Sequence, residues 1–242
     1  VAPVAIGLLR NPGSYEVLSG LARNDENGQR TYGKPVEESM RAFAAYGLGL
    51  VGHFSPDLEL RRKVVADLVT LLEDEEAASN DLRVAAMVSM GLVPLEVVED
   101  AVVCYCGTCE VADPHASLQA QVTYLLRYFT ADRDFDPIVR AHTATTLGRL
   151  IEARPKGMTL RLKEVVAEFL IEALQKNRRQ PVEVKQSVVM ALGLVGDADQ
   201  DAIDQWIRWS LTRSASRGGP IEKRFALISL AQVGSRGGTG ED

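Results

Sequence analysis

The residues best suited to chemistry in this sequence are three cysteines and a histidine that lie close together. Cys104, Cys106 and Cys109 follow the pattern C-x-C-x-x-C, and His115 comes six residues later. Three thiolates and an imidazole are the donors of a Cys3His zinc site, and the last two cysteines also have the spacing of a redox pair. The spacing to His115 matches no standard zinc module. The preceding valines are typical of a buried helix, where cysteine is a small hydrophobic residue. A structural role is therefore the favoured interpretation, with metal binding and thiol chemistry left open.

A second motif, at residues 47–52, has the form G-x-G-x-x-G of a dinucleotide-binding turn. That turn must follow a β-strand and open a helix, because its glycines bring the backbone close to a pyrophosphate at the helix start. Here the motif ends a helix predicted to begin at Glu38. We therefore interpret the motif as a helix-packing element, and no cofactor is assigned.

The other two histidines, His53 and His142, belong to no catalytic pattern. The sequence contains no H-E-x-x-H, no G-x-x-x-x-G-K-[ST] and no G-x-S-x-G, so it shows no signature of a zinc protease, a P-loop enzyme or an α/β-hydrolase. We assign no catalytic, cofactor-binding or metal-binding residue, and we predict that the chain is not an enzyme.

The elements that position these residues come from an internal repeat of about 42 residues. Five segments align without gaps; each begins with a basic residue and has a small residue eight positions later. The basic residues are Arg41, Arg83, Arg140, Lys185 and Lys223, and the small residues are Gly49, Gly91, Gly148, Gly193 and Ala231. A sixth copy, at residues 5–9, lacks its beginning. This period, with apolar residues at helical spacing, predicts stacked helix pairs.

Each aligned segment is predicted to be the second helix of a pair. The clearest spans residues 136–152, with Asp136 as its N-cap and Pro137 in its first turn. The first helices of the pairs are predicted around residues 15–21, 60–72, 118–129, 162–170 and 203–211. Ser55-Pro56 is expected to open the second of these. Turns are predicted at Gly52-His53, Gly196-Asp197 and Gly218-Gly219.

The segments Asp136–Arg140 (DPIVR), Pro181–Lys185 (PVEVK) and Ala191–Gly196 (ALGLVG) resemble the HEAT-repeat family. The resemblance covers nearly the whole chain. It implies an all-α fold, a right-handed α-solenoid of about five antiparallel helix pairs similar to the armadillo superhelix. It further implies that the second helices line the concave face, and that their initial basic residues form a ladder with neighbouring acids. Asp136 is such an acid, whereas Arg41 and Lys223 have no evident counterpart.

We predict a single HEAT-like repeat domain over residues 1–242, forming part of a longer chain because its first repeat copy is incomplete. One repeat interval is about 15 residues longer than the others, which predicts an insertion at residues 94–113 that contains the cysteines. Trp206 and Trp209 are interpreted as packing residues that cover the last helix pair or contact a further repeat.

Composition narrows the possible partners. The net charge is −6, which disfavours nucleic acid as a partner because a phosphate backbone requires a basic surface. No apolar run reaches the roughly 18 residues of a membrane-spanning helix, and no signal peptide is visible. The compartment stays open, with the cytoplasm favoured.

The predicted function is that of a non-catalytic scaffold, which binds a protein partner of unknown identity through the curved repeat surface. The resemblance also leaves an enzymatic alternative, since bilin lyases and DNA glycosylases include HEAT-like repeats. A third alternative is a regulatory domain that responds to metal or redox state through the cysteine-containing insertion.

Overall fold

A computed structural model describes residues 2–74, 78–99, 101, 103, 113–131, 136–155, 157–176 and 180–238. Among these residues every regular element is a helix and none is a strand, which confirms the predicted all-α class. The helices are α1 (Ala2–Leu8), α2 (Tyr15–Arg23), α3 (Glu26–Tyr32), α4 (Glu38–Phe54), α5 (Leu58–Glu73), α6 (Asn80–Met90), α7 (Leu118–Thr130), α8 (Pro137–Glu152), α9 (Leu160–Lys176), α10 (Val182–Val195), α11 (Ala202–Arg217) and α12 (Pro220–Ser235).

The contacts divide the chain into two compact units, Val1–Tyr124 and Leu125–Asp242. In the first unit α4 is central and packs against α1, α2 and α6, while α5 packs against α2 and α6. In the second unit α10 is central and packs between α8 and α12, while α9 packs on α10 and α11 packs on α12. Each central helix is therefore a second helix of the repeat.

The start of α8 forms as the sequence predicts. The Asp136 carboxylate accepts a hydrogen bond from the Ile138 backbone N–H at 2.9 Å. Pro137 occupies the first helical position, where no backbone donor is needed. Val139, Ala144 and Leu147 are fully buried, so one face of the helix enters the core of the second unit.

Two local predictions are wrong. The N-cap of α5 is Asp57, whose side chain accepts from the Glu59 N–H at 3.0 Å, whereas Ser55 ends α4 and its hydroxyl accepts from Asp57 N–H. The predicted turn at Gly52-His53 lies inside α4. Gly52 serves close packing there, because a Cβ at this position would lie 2.8 Å from Val93 Cγ2.

The other two predicted turns are confirmed. α10 ends at Val195, directly before Gly196-Asp197, and α11 ends at Arg217, directly before Gly218-Gly219.

The aligned small residues bring successive second helices together. A Cβ on Gly49 would lie 2.6 Å from Ser89 Cβ, and a Cβ on Gly193 would lie 2.6 Å from Ser229 Cβ. Real Cβ atoms do not approach each other so closely, so a side chain at either glycine would push the two helices apart.

The aligned arginines hold the ends of the preceding first helices. Arg41 donates to the Ala22 carbonyl at 2.9 Å, Arg83 to the Asp74 carbonyl at 3.1 Å, and Arg140 to the Ala131 carbonyl at 3.4 Å. The last carbonyls of a helix lack partners within the helix, and a cation there also interacts favourably with the helix dipole. In these three copies the aligned basic residue therefore joins the two helices of a pair.

The acid that the sequence did not reveal for Arg41 comes from the next pair. The Arg41 guanidinium forms an ion pair with the Asp74 carboxylate at 4.0 Å. Asp136, the acid predicted for the ladder, is the N-cap of α8.

Candidate functional site

The cysteine motif cannot be placed in the fold. Cys104, Cys106 and Cys109 lie outside the described residues, as does most of the predicted insertion at 94–113. The structural, metal and thiol roles of these residues therefore stay predictions. His115 is described and lies half-buried in the turn before α7.

The glycines of the G-x-G-x-x-G motif all lie within α4. A Cβ on Gly47 would lie 2.6 Å from the Pro3 carbonyl oxygen. A Cβ on Gly49 would lie 2.6 Å from Ser89 of α6, and one on Gly52 would lie 2.8 Å from Val93. Each glycine thus permits a close approach by a different neighbour. The interpretation of the motif as a helix-packing element is confirmed.

The remaining histidines lie on separate helices. His53, on α4, is bonded through Nδ1 to the Leu92 carbonyl at 2.9 Å. His142, on α8, is half-buried; burial and the nearby Arg149 charge lower its pKa, which favours the neutral ring.

A buried cluster of charged side chains lies beneath the turn between α10 and α11, where sequence reasoning placed no site. The carboxylates of Asp197 and Asp204 are essentially inaccessible to solvent, and the Lys163 ammonium donates to both, at 2.9 and 2.5 Å. Lys163 itself is only 2% exposed. Arg154 forms a further ion pair with Asp197 at 2.8 Å.

Backbone hydrogen bonds complete this cluster. The Asp197 N–H donates to the Asp204 carboxylate at 2.9 Å, and the Arg208 guanidinium donates to the carbonyls of Asp197 and Asp199 at 2.9 and 2.8 Å. A buried charge is tolerated when it is paired and hydrogen-bonded. The cluster therefore fixes the turn that connects α10 to α11.

The pKa values of Asp204 and Lys163 are both shifted by burial and by the interaction between the two side chains. Burial raises the pKa of Asp204 to about 6, against the opposing effect of the Lys163 ammonium. Burial acts to lower the pKa of Lys163, but its hydrogen bonds to Asp204 and Asp197 and their charges outweigh it, so the net shift is upward. Lys163 is therefore charged in neutral solution, and the carboxylates face a permanent cation.

This cluster has some of the donors of a metal site. One carboxylate oxygen from each of Asp197, Asp199 and Asp204 lies within 4.8 Å of the others. The chain already supplies the positive charge, because the Lys163 ammonium contacts two of these carboxylates directly. We therefore interpret the cluster as a structural clamp. The available signal in the sequence was a lysine between Leu162 and Val166, on the apolar face of a predicted helix.

A smaller polar network lies in the first unit, between α2 and α5. The buried Asp67 carboxylate accepts from the Tyr15 hydroxyl at 2.9 Å and from the Ser19 hydroxyl at 2.6 Å. Arg23 lies 3.6 Å from the same carboxylate. Burial and the Asp67 charge raise the pKa of the Tyr15 phenol above its ordinary value.

We expect Tyr15 to make the first unit less stable in alkaline solution. Its raised pKa means that the folded chain keeps a proton that the unfolded chain loses above about pH 10. The contribution to stability is complete below that pH and is lost as the pH rises through the folded-state value. Urea unfolding followed by circular dichroism should show a steeper loss between pH 9 and 11 for the native chain than for Tyr15→Phe. Equal slopes would contradict the assignment.

In the second unit, α12 carries apolar side chains that no other described residue covers. Leu227, Ile228 and Ala231, which we call the α12 face, lie on one side of this helix and are exposed. Leu227 is 60% exposed, whereas the residues at the aligned position of the four other complete copies are 0% exposed. Those residues are Ala45, Met87, Ala144 and Val189.

The tryptophans of α11 are also accessible. Trp209 is half-exposed and the Arg213 guanidinium lies 5.5 Å from its ring centroid, while Trp206 is exposed to a lesser extent. The described helices cover both rings only in part, so the interpretation that both rings cover the last helix pair stays a prediction. The contact with a further repeat stays a prediction.

None of the described helices combines the length and the apolar character needed to cross a membrane. Comparison of the chain with models of protein families, with curated proteins and with solved structures finds no match.

Proposed function

We propose that this chain is a HEAT-like α-solenoid domain that acts as a non-catalytic scaffold for a partner protein. Two recurring contacts support the repeat architecture. Aligned glycines of second helices pack on small residues of the next second helix, and aligned arginines bind the carbonyl end of the preceding first helix. Equivalent contacts at equivalent positions are what stacked structural repeats produce.

The observation that carries the binding function is the exposure of Leu227. Single exposed apolar residues are common and need no explanation. Leu227 differs because its aligned counterparts are all completely buried, and because Ile228 and Ala231 extend the apolar surface around it. A contiguous apolar patch in the register of a helix-packing face accepts a further helix; our proposal is that a partner protein supplies it, and a following repeat of the same polypeptide would occupy the same face.

The way α10 packs on α12 indicates which kind of helix could bind the α12 face. Gly193 of α10 packs on Ser229 of α12, and Ala231 is the aligned counterpart of Gly193. A partner that binds the α12 face therefore presents an amphipathic helix with a small residue opposite Ala231. Exposed Lys223 and Arg224 precede the face and favour acidic side chains at the adjoining end of the partner helix.

Leu227→Glu is expected to abolish partner binding without unfolding the chain. The substitution places a carboxylate at the centre of the apolar face, and binding would remove this charge from water, a cost that Lys223, one helical turn earlier, offsets only in part. Val182→Glu is the matched control, because Val182 is also 60% exposed but lies at the start of α10. The three chains are used as baits in a lysate of the source cells, and the captured protein is then purified and its Kd measured.

We expect the native chain and Val182→Glu to bind the captured protein equally, and Leu227→Glu to lose at least a factor of about 100, the effect of one interface hot spot. Equal affinity of all three chains would place the site elsewhere. Sedimentation of the native chain alone provides a further test. If the native chain self-associates and Leu227→Glu does not, the α12 face binds a second copy of this chain and not a different protein.

A further inference from the structure

A second candidate binding region in the Leu125–Asp242 unit is a cavity of about 340 Å³. It lies among the ends of α9 and α11, the start of α10 and the first turn of α12. Its cationic lining consists of Lys185, Arg213 and Arg217, and its one carboxylate is Glu222. This excess of positive charge is local, since the chain as a whole carries a net charge of −6.

One face of α11 supplies most of the polar groups. Ser210, Arg213, Ser214 and Arg217 follow at the spacing i, i+3, i+4 and i+7, which places them on the same side of the helix. The two serines are almost fully buried, whereas the two arginines are exposed. The two serines thus lie deeper in the cavity than the two arginines, and the Ser210 hydroxyl accepts a hydrogen bond from the Gln175 side chain at 3.4 Å.

Arg217 lies in the last turn of α11, where the helix dipole favours a cation, and Arg213 lies one turn earlier. Like charges four residues apart on a helix repel each other. Among the described residues, neither Arg213 nor Arg217 forms an ion pair with a carboxylate, and the guanidinium of Arg213 lies near the Trp209 ring instead. An anion between them would remove this repulsion. The cavity therefore favours an anionic ligand.

The geometry of the hydrogen-bond donors in the lining indicates which kind of anion the cavity can bind. A guanidinium presents two parallel N–H donors that match two oxygens of a phosphate group, and serine hydroxyls add short donors beneath them. The volume lies at the lower end of the range for small-molecule sites, which fits a compact ligand. At the start of α12 the backbone of Gly219 is open, because a Cβ there would meet no atom within 4 Å, whereas the Glu222 carboxylate lies against Gly218.

We propose that this cavity binds a small molecule that carries a phosphate group. Arg213 and Arg217 contact the phosphate oxygens, and Ser210 and Ser214 contact them from deeper in the cavity. Lys185 contributes longer-range attraction from α10. Glu222 limits the affinity by repulsion, and so disfavours anions that lack the geometry to engage both arginines.

The test is calorimetric titration of the full 242-residue chain with sodium pyrophosphate at a modest ionic strength of about 0.15 M, at which exposed charges more than about 8 Å apart are largely screened. We expect one saturable site per chain. Arg213→Gln/Arg217→Gln should weaken binding by at least about 100-fold, since each charged hydrogen-bonding partner contributes roughly a factor of ten or more. Glu222→Gln should strengthen binding, because it removes the one carboxylate among the described residues of the lining.

Lys223→Gln/Arg224→Gln is the matched control. It removes the same two positive charges from exposed positions on α12 that do not line the cavity. We expect its affinity to stay within about twofold of the native value, which is within the usual effect of a distant surface charge at modest ionic strength. Circular dichroism checks that each variant is folded. The absence of a saturable site in the native chain, or an equal loss in both double variants, would overturn the proposal.

Discussion

Lys163→Met is expected to lower the free energy of unfolding by about 3–5 kcal/mol. The side chains are similar in length, so the substitution removes the ammonium group with little change in packing. Asp197 and Asp204 then face each other in the protein interior without the cation that contacts both. Arg154 still pairs with Asp197, but no described cation other than Lys163 contacts the Asp204 carboxylate.

The pH dependence of this loss follows from the pKa of Asp204. Burial already raises that pKa to about 6 in the native chain, from an ordinary value of 3.8, and removal of Lys163 raises it further. A raised carboxylate pKa means that the folded state binds the proton more tightly than the unfolded state. The variant should therefore regain stability as the pH falls from 7 toward 5.

Urea unfolding followed by circular dichroism measures the effect. Lys223→Met is the matched control, because Lys223 is exposed on α12, and a surface substitution of this kind usually changes stability by less than about 0.5 kcal/mol. Lys163→Met/Asp204→Asn should recover part of the loss by removing the uncompensated charge. If Lys163→Met and Lys223→Met proved equally stable, the clamp assigned to Lys163 would be wrong.

The helices were predictable from the sequence because their signals are local. Apolar residues at helical spacing and the small residue eight positions after each basic residue both depend on the geometry of a single helix. The contact of Gly193 with Ser229 follows from that register. The error at the start of α5 is equally local, since Ser55 and Asp57 are both good N-cap residues within three positions.

The charged cluster could not be predicted in the same way. Lys163 meets Asp197 and Asp204 across separations of 34 and 41 residues, and no spacing rule within one helix joins such distant positions. The exposure of Leu227 is the opposite case. Leu227 has the same position in the repeat as four buried residues, so its position in the sequence predicts burial. The structure shows instead that none of the described residues covers it.

Gly193→Ala is expected to destabilise the second unit by about 1–3 kcal/mol. Alanine favours a helix over glycine by about 1 kcal/mol, so local propensity alone predicts a gain. The new Cβ would lie 2.6 Å from both Cβ and Oγ of Ser229. α10 and α12 must therefore separate, which weakens their packing and strains the bond from the Ser229 hydroxyl to the Val189 carbonyl. We expect the steric term to exceed the propensity term.

Gly234→Ala makes the same chemical change where there is space. Gly234 lies on α12 and a Cβ there meets no atom within 4 Å, so this variant should gain up to about 1 kcal/mol. If urea unfolding shows a lower free energy of unfolding for Gly193→Ala and a higher one for Gly234→Ala, the loss at Gly193 is due to close helix packing and not to helix propensity. Gly193→Ala/Ser229→Gly should recover part of the loss, because it moves the small residue to the partner helix. A gain of stability in Gly193→Ala would contradict the packing role of the aligned glycine. It would also remove the basis for placing a small residue of the partner helix opposite Ala231, because that placement follows the contact of Gly193 with Ser229.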